Sequence, residues 1–325
     1  MENIYKKLKY SVIVPVLIFL RKLIFSRKIK NTMELDIEKQ LFFIQSSGRS
    51  GSTLLALLLN RHNKIGLPPE QYVLPYSIMT WQLTFKSWNS FCKSQLEKYF
   101  TLNQDWNWEI KDKEKLKSEL NQLKIKHRSP ANLFKIVLDY YLKKENNIAK
   151  FIGDHSPIST VFYKYIYSEF PNNKYIFLLR NPLDVVTSYS NMTDNPASNA
   201  KYAVWKWNNS IKAYEYLVEK NKQNVILIKY EDLVENPNDT LNEIFKFLGA
   251  DYQDVINVKK EERQKDPFKA GNRKYHENLY KPITTNSIGR WKKYLDENIA
   301  NEIIPLIKDN ALKYGYYSQI SSGKD

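Results

Sequence analysis

Residues 45–62 read QSSGRSGSTLLALLLNRH, a small and polar stretch that turns into a leucine-rich run. The five residues before Gln45, QLFFI (40–44), form an apolar run of strand length, and the leucines that follow suit a helix. The glycines and hydroxyls therefore fall at a strand-to-helix turn. Backbone N–H groups at a helix start point at an anion, and Gly48 and Gly51 permit the close approach such a ligand needs. Ser50, Ser52 and Thr53 add hydroxyl donors. The lysine of the Walker pattern GxxxxGK[ST] is absent, and Arg49, two positions before the second glycine, is the cation of this loop. The stretch predicts a phosphate-binding loop; a plain Ser/Gly-rich turn is its alternative on these residues alone.

Outward from the loop the same rhythm continues. KIGL (64–67), KFIGD (150–154), KYIFLLR (174–180) and NVILIKY (224–230) read as buried strands, and helical patterns cover 51–62, 183–193, 201–220 and 238–248. Strands alternating with helices predict a P-loop-containing three-layer α/β/α sandwich with a central parallel sheet, whose ligands bind beyond the carboxyl ends of the strands. Residues 76–148 break the rhythm. They are rich in lysine and helix formers and carry Trp81, Trp88, Trp106 and Trp108, so they read as a helical insertion covering the site, the tryptophans packing it. Residues 258–285 read as a long charged loop with Arg273, Lys274 and Lys281.

Composition narrows the classes. The 325 residues are 42% hydrophobic with nine glycines and no visible repeat, as in a chain with a sizeable core. The net charge of +15 is uneven: residues 1–30 hold eight Lys or Arg against Glu2 alone. The mildly basic remainder suits an anionic ligand without demanding nucleic acid, and none is expected as a partner. Cys92, the single cysteine, excludes an intramolecular disulfide and a cysteine-based metal site. SVIVPVLIFL (11–20) is too short to span a bilayer, which takes about 20 apolar residues. With its basic flanks, the segment 1–35 reads as an anchor at an anionic membrane surface, on a cytoplasmic protein whose main domain is 36–325; a helix packed on that domain is the alternative.

A second constellation is FLLRNPLDVVTSYSN (177–191). Arg180 ends a strand, Asn181 suits an N-cap, Pro182 suits the first helical position, and Ser188 lies about two turns inside. An arginine and a serine so placed can clamp one phosphate together, and a plain structural turn is the alternative on these residues alone. The two constellations jointly resemble the sulfotransferases that use 3′-phosphoadenosine 5′-phosphosulfate (PAPS). Their [KR]SG[ST]T loop is similar to RSGST (49–53), and their arginine with a serine eight residues on is similar to Arg180 and Ser188. IKYEDLVENPNDTLNEIFKFLG (228–249), NSIGRW (286–291) and GDHSP (153–157, with histidine where the family has lysine) are similar to further family segments, in order, across roughly residues 40–316. The chain looks most like the branch of carbohydrate and protein-tyrosine sulfotransferases.

The resemblance implies that Arg49, Ser50, Gly51, Ser52 and Thr53 hold the 5′-phosphosulfate and that Arg180 and Ser188 bind the 3′-phosphate. It also implies that Tyr230 and the late loop with Ile288, Gly289 and Arg290 complete the nucleotide pocket. Glu70, in GLPPEQYVLP, matches the family's general base, and Arg49 meets the charge that develops on the leaving phosphate. His155 supplies charge only when protonated; a hydrogen-bond donor, an alternative base and a structural strand-end residue are its other readings. His62 reads as structural, and His127 and His276 as exposed. The implied reaction is sulfuryl transfer from PAPS to a hydroxyl of a glycan, a glycolipid or a protein tyrosine, in a scheme that requires no metal. Two further readings are an ATP-dependent small-molecule kinase with a degenerate loop and a non-catalytic nucleotide-binding protein at a membrane surface.

Overall fold

Strand β1 (Gln40–Gln45) carries the run that leads into the opening loop, and every residue after Gln40 is buried. A strand covered on both faces needs no polar alternation, which is why its sequence is continuously apolar. The computed structural model describes residues 39–84, 86–102, 108, 110, 112–144, 149–192, 196–258 and 281–318. In it β1 is the centre of a parallel sheet. The following elements are helix α1 (Ser52–Leu59), strand β2 (Ile65–Gly66) and helices α2 (Leu74–Leu83), α3 (Trp88–Leu102), α4 (Lys113–Asn121) and α5 (Pro130–Lys144). Strand β3 (Phe151–Asp154), helices α6 (Pro157–Val161) and α7 (Tyr163–Glu169), strand β4 (Lys174–Leu179) and helices α8 (Pro182–Ser190) and α9 (Ala200–Asn221) come next. Strand β5 (Val225–Lys229) precedes helices α10 (Tyr230–Glu235), α11 (Pro237–Leu248), α12 (Trp291–Tyr294) and α13 (Glu297–Lys313).

The sheet order is β2-β3-β1-β4-β5, with every pairing parallel. The chain leaves β1 toward β2 and β3 on one side, then crosses to β4 and β5 on the other. The crevice between the carboxyl ends of β1 and β4 is therefore the topological switch point, the place where open α/β sheets bind ligands. Helices flank the sheet, in agreement with the expected sandwich. One apolar cluster joins the sheet to α1, the insertion and α11; a second joins α8, α9 and α13. At the centre of the first, Phe43 stacks with Tyr175 at 5.3 Å and packs against Phe170 at 5.0 Å and Phe134 at 6.4 Å.

The expected elements are present, with several ends moved. The helix expected to 62 stops at Leu59 because the Asn60 side chain pairs with the Leu67 backbone, donating to its carbonyl at 2.9 Å and accepting from its N–H at 2.7 Å. KIGL supplies only the two residues of β2. Tyr230 does not end a strand; it begins α10. The insertion is helical, α2 to α5, and an ion pair between Lys39 and Asp139 ties α5 to the entry of β1. Its tryptophans pack it, as expected: Trp81 meets Trp88 edge-on at 5.5 Å, and Trp108 packs between Tyr99 and Tyr141. Trp106, Arg273, Lys274 and His276 lie outside the described residues. His62 is structural, hydrogen-bonded to the Asp251 carbonyl and packed on Phe245. His127, expected at the surface, is half-buried at the turn before α5, where the Asn132 side chain holds its carbonyl. Cys92 is buried, and burial pushes its thiol up to about 12, so it is inert at neutral pH.

Candidate functional site

The loop after β1 has the backbone of an anion nest. Gly48, Arg49 and Gly51 all take positive φ (79°, 57° and 93°), and Arg49 is the one non-glycine residue among those described to do so. Successive N–H groups in such a turn converge on one side. Two of these residues could hardly be anything but glycine. A Cβ on Gly51 would fall 2.4 Å from the Tyr230 ring, and one on Gly48 would fall 2.2 Å from the Tyr189 hydroxyl. The loop is fixed from below. The Ser46 N–H donates to Thr160 Oγ1, the Ser47 and Ser50 hydroxyls pair at 2.9 Å, and the Tyr189 hydroxyl donates to the Ser47 carbonyl. Ser50, Ser52 and Thr53 are buried beneath it, at the start of α1.

The second constellation meets this loop directly. Asn181 caps α8 as expected, accepting from the Leu183 and Asp184 N–H groups, with Pro182 at the first turn. Ser188 lies two turns on, but its hydroxyl accepts from Arg49 Nε at 3.0 Å. Ser188 thus also orients the loop arginine, so that Arg49, Arg180 and Ser188 meet at one place. Arg180 donates from Nη1 to the Arg49 carbonyl (3.0 Å) and from Nη2 to the Ser287 carbonyl (2.6 Å), while its guanidinium lies 4.4 Å over the Tyr230 ring. Its Nε is buried with no hydrogen-bond partner among the described residues, an orphaned donor at the end of β4.

The late loop is pinned to this arginine. Tyr230 and Ser287 share a hydroxyl hydrogen bond, and the Asp184 carboxylate accepts from the Gly289 N–H at 2.8 Å and the Trp291 N–H at 3.0 Å. Ile288 and Gly289 are half-buried there, whereas Arg290 is exposed and packs over Tyr294. Lys281 is also exposed.

Glu70 follows β2 in a turn stiffened by Pro68 and Pro69. It is 8% exposed, and its carbonyl accepts from Trp108 Nε1 at 2.9 Å, so the insertion holds the turn that carries it. His155, directly after β3, stands with Nδ1 3.9 Å from a Glu70 carboxyl oxygen. The Pro68 backbone beside the ring favours its protonated form, yet complete burial outweighs this and pushes its pKa down to about 4. At neutral pH the imidazole is neutral, so it does not replace the charge of the family lysine. It is packed against the proline turn, beside the carboxylate.

Sequence reasoning missed several residues that build the site. Asp184 and Glu231 stand in the first turns of α8 and α10, where acids are ordinary. In the structure Asp184 holds the late loop. Glu231 accepts from the Asn181 N–H and the Tyr316 hydroxyl beside Arg180, with burial raising its carboxyl pKa. Lys206, on α9, donates to the Tyr189 hydroxyl at 2.6 Å and brings a half-buried cation beside Gly48. Nothing local marks these positions, since each acts across 17 or more residues of chain.

Comparison with known proteins agrees with this geometry. The model of the sulfotransferase family matches residues 42–254, more than half of the chain. Protein-tyrosine sulfotransferase of Drosophila melanogaster is 22% identical over 282 residues, covering 82% of this chain and 50% of that protein. Protein-tyrosine sulfotransferase 2 of Gallus gallus is 20% identical, covering 82% of this chain and 67% of its own length. The chain thus spans half to two thirds of the length of these relatives. Among solved structures, the sulfotransferase domain of the Synechococcus PCC 7002 olefin synthase superposes with a TM-score of 0.56 at 20% identity, over 82% of this chain and 93% of that one. The sulfotransferase domain from the curacin biosynthetic pathway gives 0.54 at 22% identity, over 83% and 98%. These two share the fold. With its strand-loop-helix nest and switch-point arginine falling inside the matched region, the chain belongs to the sulfotransferase family.

Proposed function

We propose that the protein transfers a sulfuryl group from PAPS to a hydroxyl acceptor. The observation that carries the reading is the junction of the two motifs: Arg180 donates to the Arg49 carbonyl across 131 residues while Arg49 reaches Ser188, putting both cations in one crevice. The residues fit a nucleotide with two anionic ends. The nest at 48–53 and Arg49 hold the phosphosulfate end. The orphaned Arg180 Nε and Ser188 serve the 3′-phosphate, and Tyr230 with Ile288 and Gly289 walls the pocket between them. PAPS supplies the activated sulfuryl group. Glu70 takes the acceptor proton, and Arg49 with the loop N–H groups meets the charge released on the phosphate side. His155 packs against the turn that carries Glu70.

Titration calorimetry separates this reading from a kinase with a degenerate loop. Adenosine 3′,5′-bisphosphate is expected to bind at least about tenfold more tightly than ATP with Mg²⁺, because ATP leaves the Arg180 end unmatched by a 3′-phosphate. Tighter binding of ATP with Mg²⁺ would overturn it. For the acceptor, the names of the relatives favour a protein tyrosine over the glycan or glycolipid hydroxyl expected from the sequence. The net charge of +15 adds a preference for tyrosines flanked by acidic residues. Mass spectrometry of products after incubation with such a peptide and with a glycan decides between them.

The basic, apolar segment 1–35 lies outside the described residues, and no helix among the described residues is long and apolar enough to cross a membrane. On its charge and pattern we propose a membrane-surface anchor. Full-length protein is expected to float with phosphatidylserine-containing vesicles and to lose flotation when residues 1–30 are deleted or salt is raised. Equal flotation of both forms would refute the anchor.

A further inference from the structure

Asp154 is completely buried at the end of β3, two residues before Ser156 and directly before His155, and no step of the reaction uses it. Its surroundings are nonetheless built around it. Oδ1 accepts from the Ser156 hydroxyl at 2.6 Å and from Gln71 Nε2 at 3.3 Å, and Oδ2 accepts from the Ser159 hydroxyl at 2.8 Å. Ser156 is two-handed: it donates to Asp154 and accepts from the Gln71 N–H at 2.8 Å. Gln71 is likewise engaged at both ends of its side-chain amide. Its Oε1 accepts from the Val73 and Leu74 N–H groups at the start of α2. Through Ser156 and Gln71 this chain of bonds runs from Asp154 to the residue next to Glu70.

Elsewhere in the turn 68–71, Trp108 donates to the Glu70 carbonyl and the His155 ring lies beside the Pro68 backbone. The Asp154 network holds the peptide that follows Glu70, and with it the direction in which the Glu70 side chain leaves the backbone. A buried carboxylate is a costly way to brace a turn, since burial raises this one's pKa to about 6 against three side-chain hydrogen bonds and one backbone hydrogen bond that lower it. A neutral brace would have been cheaper. What the carboxylate adds is direction, because an acceptor-only group forces Ser156, Ser159 and Gln71 to act as donors and fixes the sense of every bond in the chain.

We propose that Asp154 is a positioning residue for the transfer reaction, aligning the Glu70 carboxyl through Ser156 and Gln71. This rests on the reading of Glu70 as the base. Steady-state kinetics of Asp154→Asn, Ser156→Ala and Ser159→Ala, each with and without Glu70→Gln, test it. Asp154→Asn is expected to lower kcat about 10- to 50-fold and Ser156→Ala about 5-fold, with bisphosphate affinity within about twofold of wild type. Ser159, whose hydroxyl meets Asp154 and not the turn, is expected to cost less than about threefold as alanine. In the Glu70→Gln background, Asp154→Asn and Ser156→Ala should add nothing, because a base already removed cannot be misaligned further. Losses that multiply with that of Glu70→Gln, or a bisphosphate affinity that falls in step with turnover, would overturn the assignment in favour of a purely structural role. Ser156→Ala alone carries the same test if Asp154→Asn does not fold. Unaltered turnover of the Glu70→Gln single variant would overturn the base and its positioning together. Normal loss there with multiplying losses at Asp154 and Ser156 overturns the positioning alone.

Discussion

Glu70→Gln is expected to lower kcat by roughly 10²- to 10⁴-fold while leaving bisphosphate affinity within about twofold of wild type. The substitution keeps the shape of the side chain and leaves intact the Trp108 bond, which is made to the backbone. It removes only the ability to accept a proton. The neighbouring imidazole offers no rescue. His155 stands 3.9 Å away, but with its pKa pushed down to about 4 it binds a proton too weakly at neutral pH to draw one from a hydroxyl. The measurement is single-turnover transfer from PAPS to the acceptor, paired with calorimetry of the bisphosphate. Wild-type turnover would remove Glu70 as the base, whereas a parallel loss of binding would move its role from chemistry to structure.

What is legible in the sequence divides by distance along the chain. The nest, Arg49, the Asn181 cap and the strand-end position of Arg180 were legible because each is set by neighbours within one turn. Glycine at a left-handed position, asparagine before proline and an arginine after an apolar run all act locally. Ser188 was half legible. Its spacing placed it two turns into α8, but which cation it would face depended on how the loop after β1 crosses that helix, 139 residues away. His155 illustrates another limit. Its residue type allowed a charge, a donor or a base, and only complete burial, imposed by the elements folded around it, decides for the neutral form. Asp184, Glu231 and Asp154 were not legible at all. Two of them stand where first-turn acids are ordinary, and what distinguishes them is the backbone or side-chain donors that other elements deliver.

The loop also separates stability from activity, and Arg49→Gly tests that. Arg49 is held at φ 57°, where a non-glycine residue costs about 1 kcal/mol or more, so glycine relieves strain that the folded state now carries. Part of that relief is offset because glycine gains freedom in the unfolded chain. The variant is therefore expected to melt no lower than wild type. Transfer should behave in the opposite way. Removing the guanidinium takes away the one cation contributed by the loop itself and leaves Ser188 without its donor, so kcat is expected to fall roughly 10²- to 10³-fold. Calorimetric melting and transfer kinetics on the same preparation give both numbers. A lower melting temperature with retained turnover would mean that Arg49 is there to hold the loop and not to meet charge. The reverse pattern is what a functional site predicts, with a side chain kept in an unfavourable backbone conformation because the reaction requires its charge at that point.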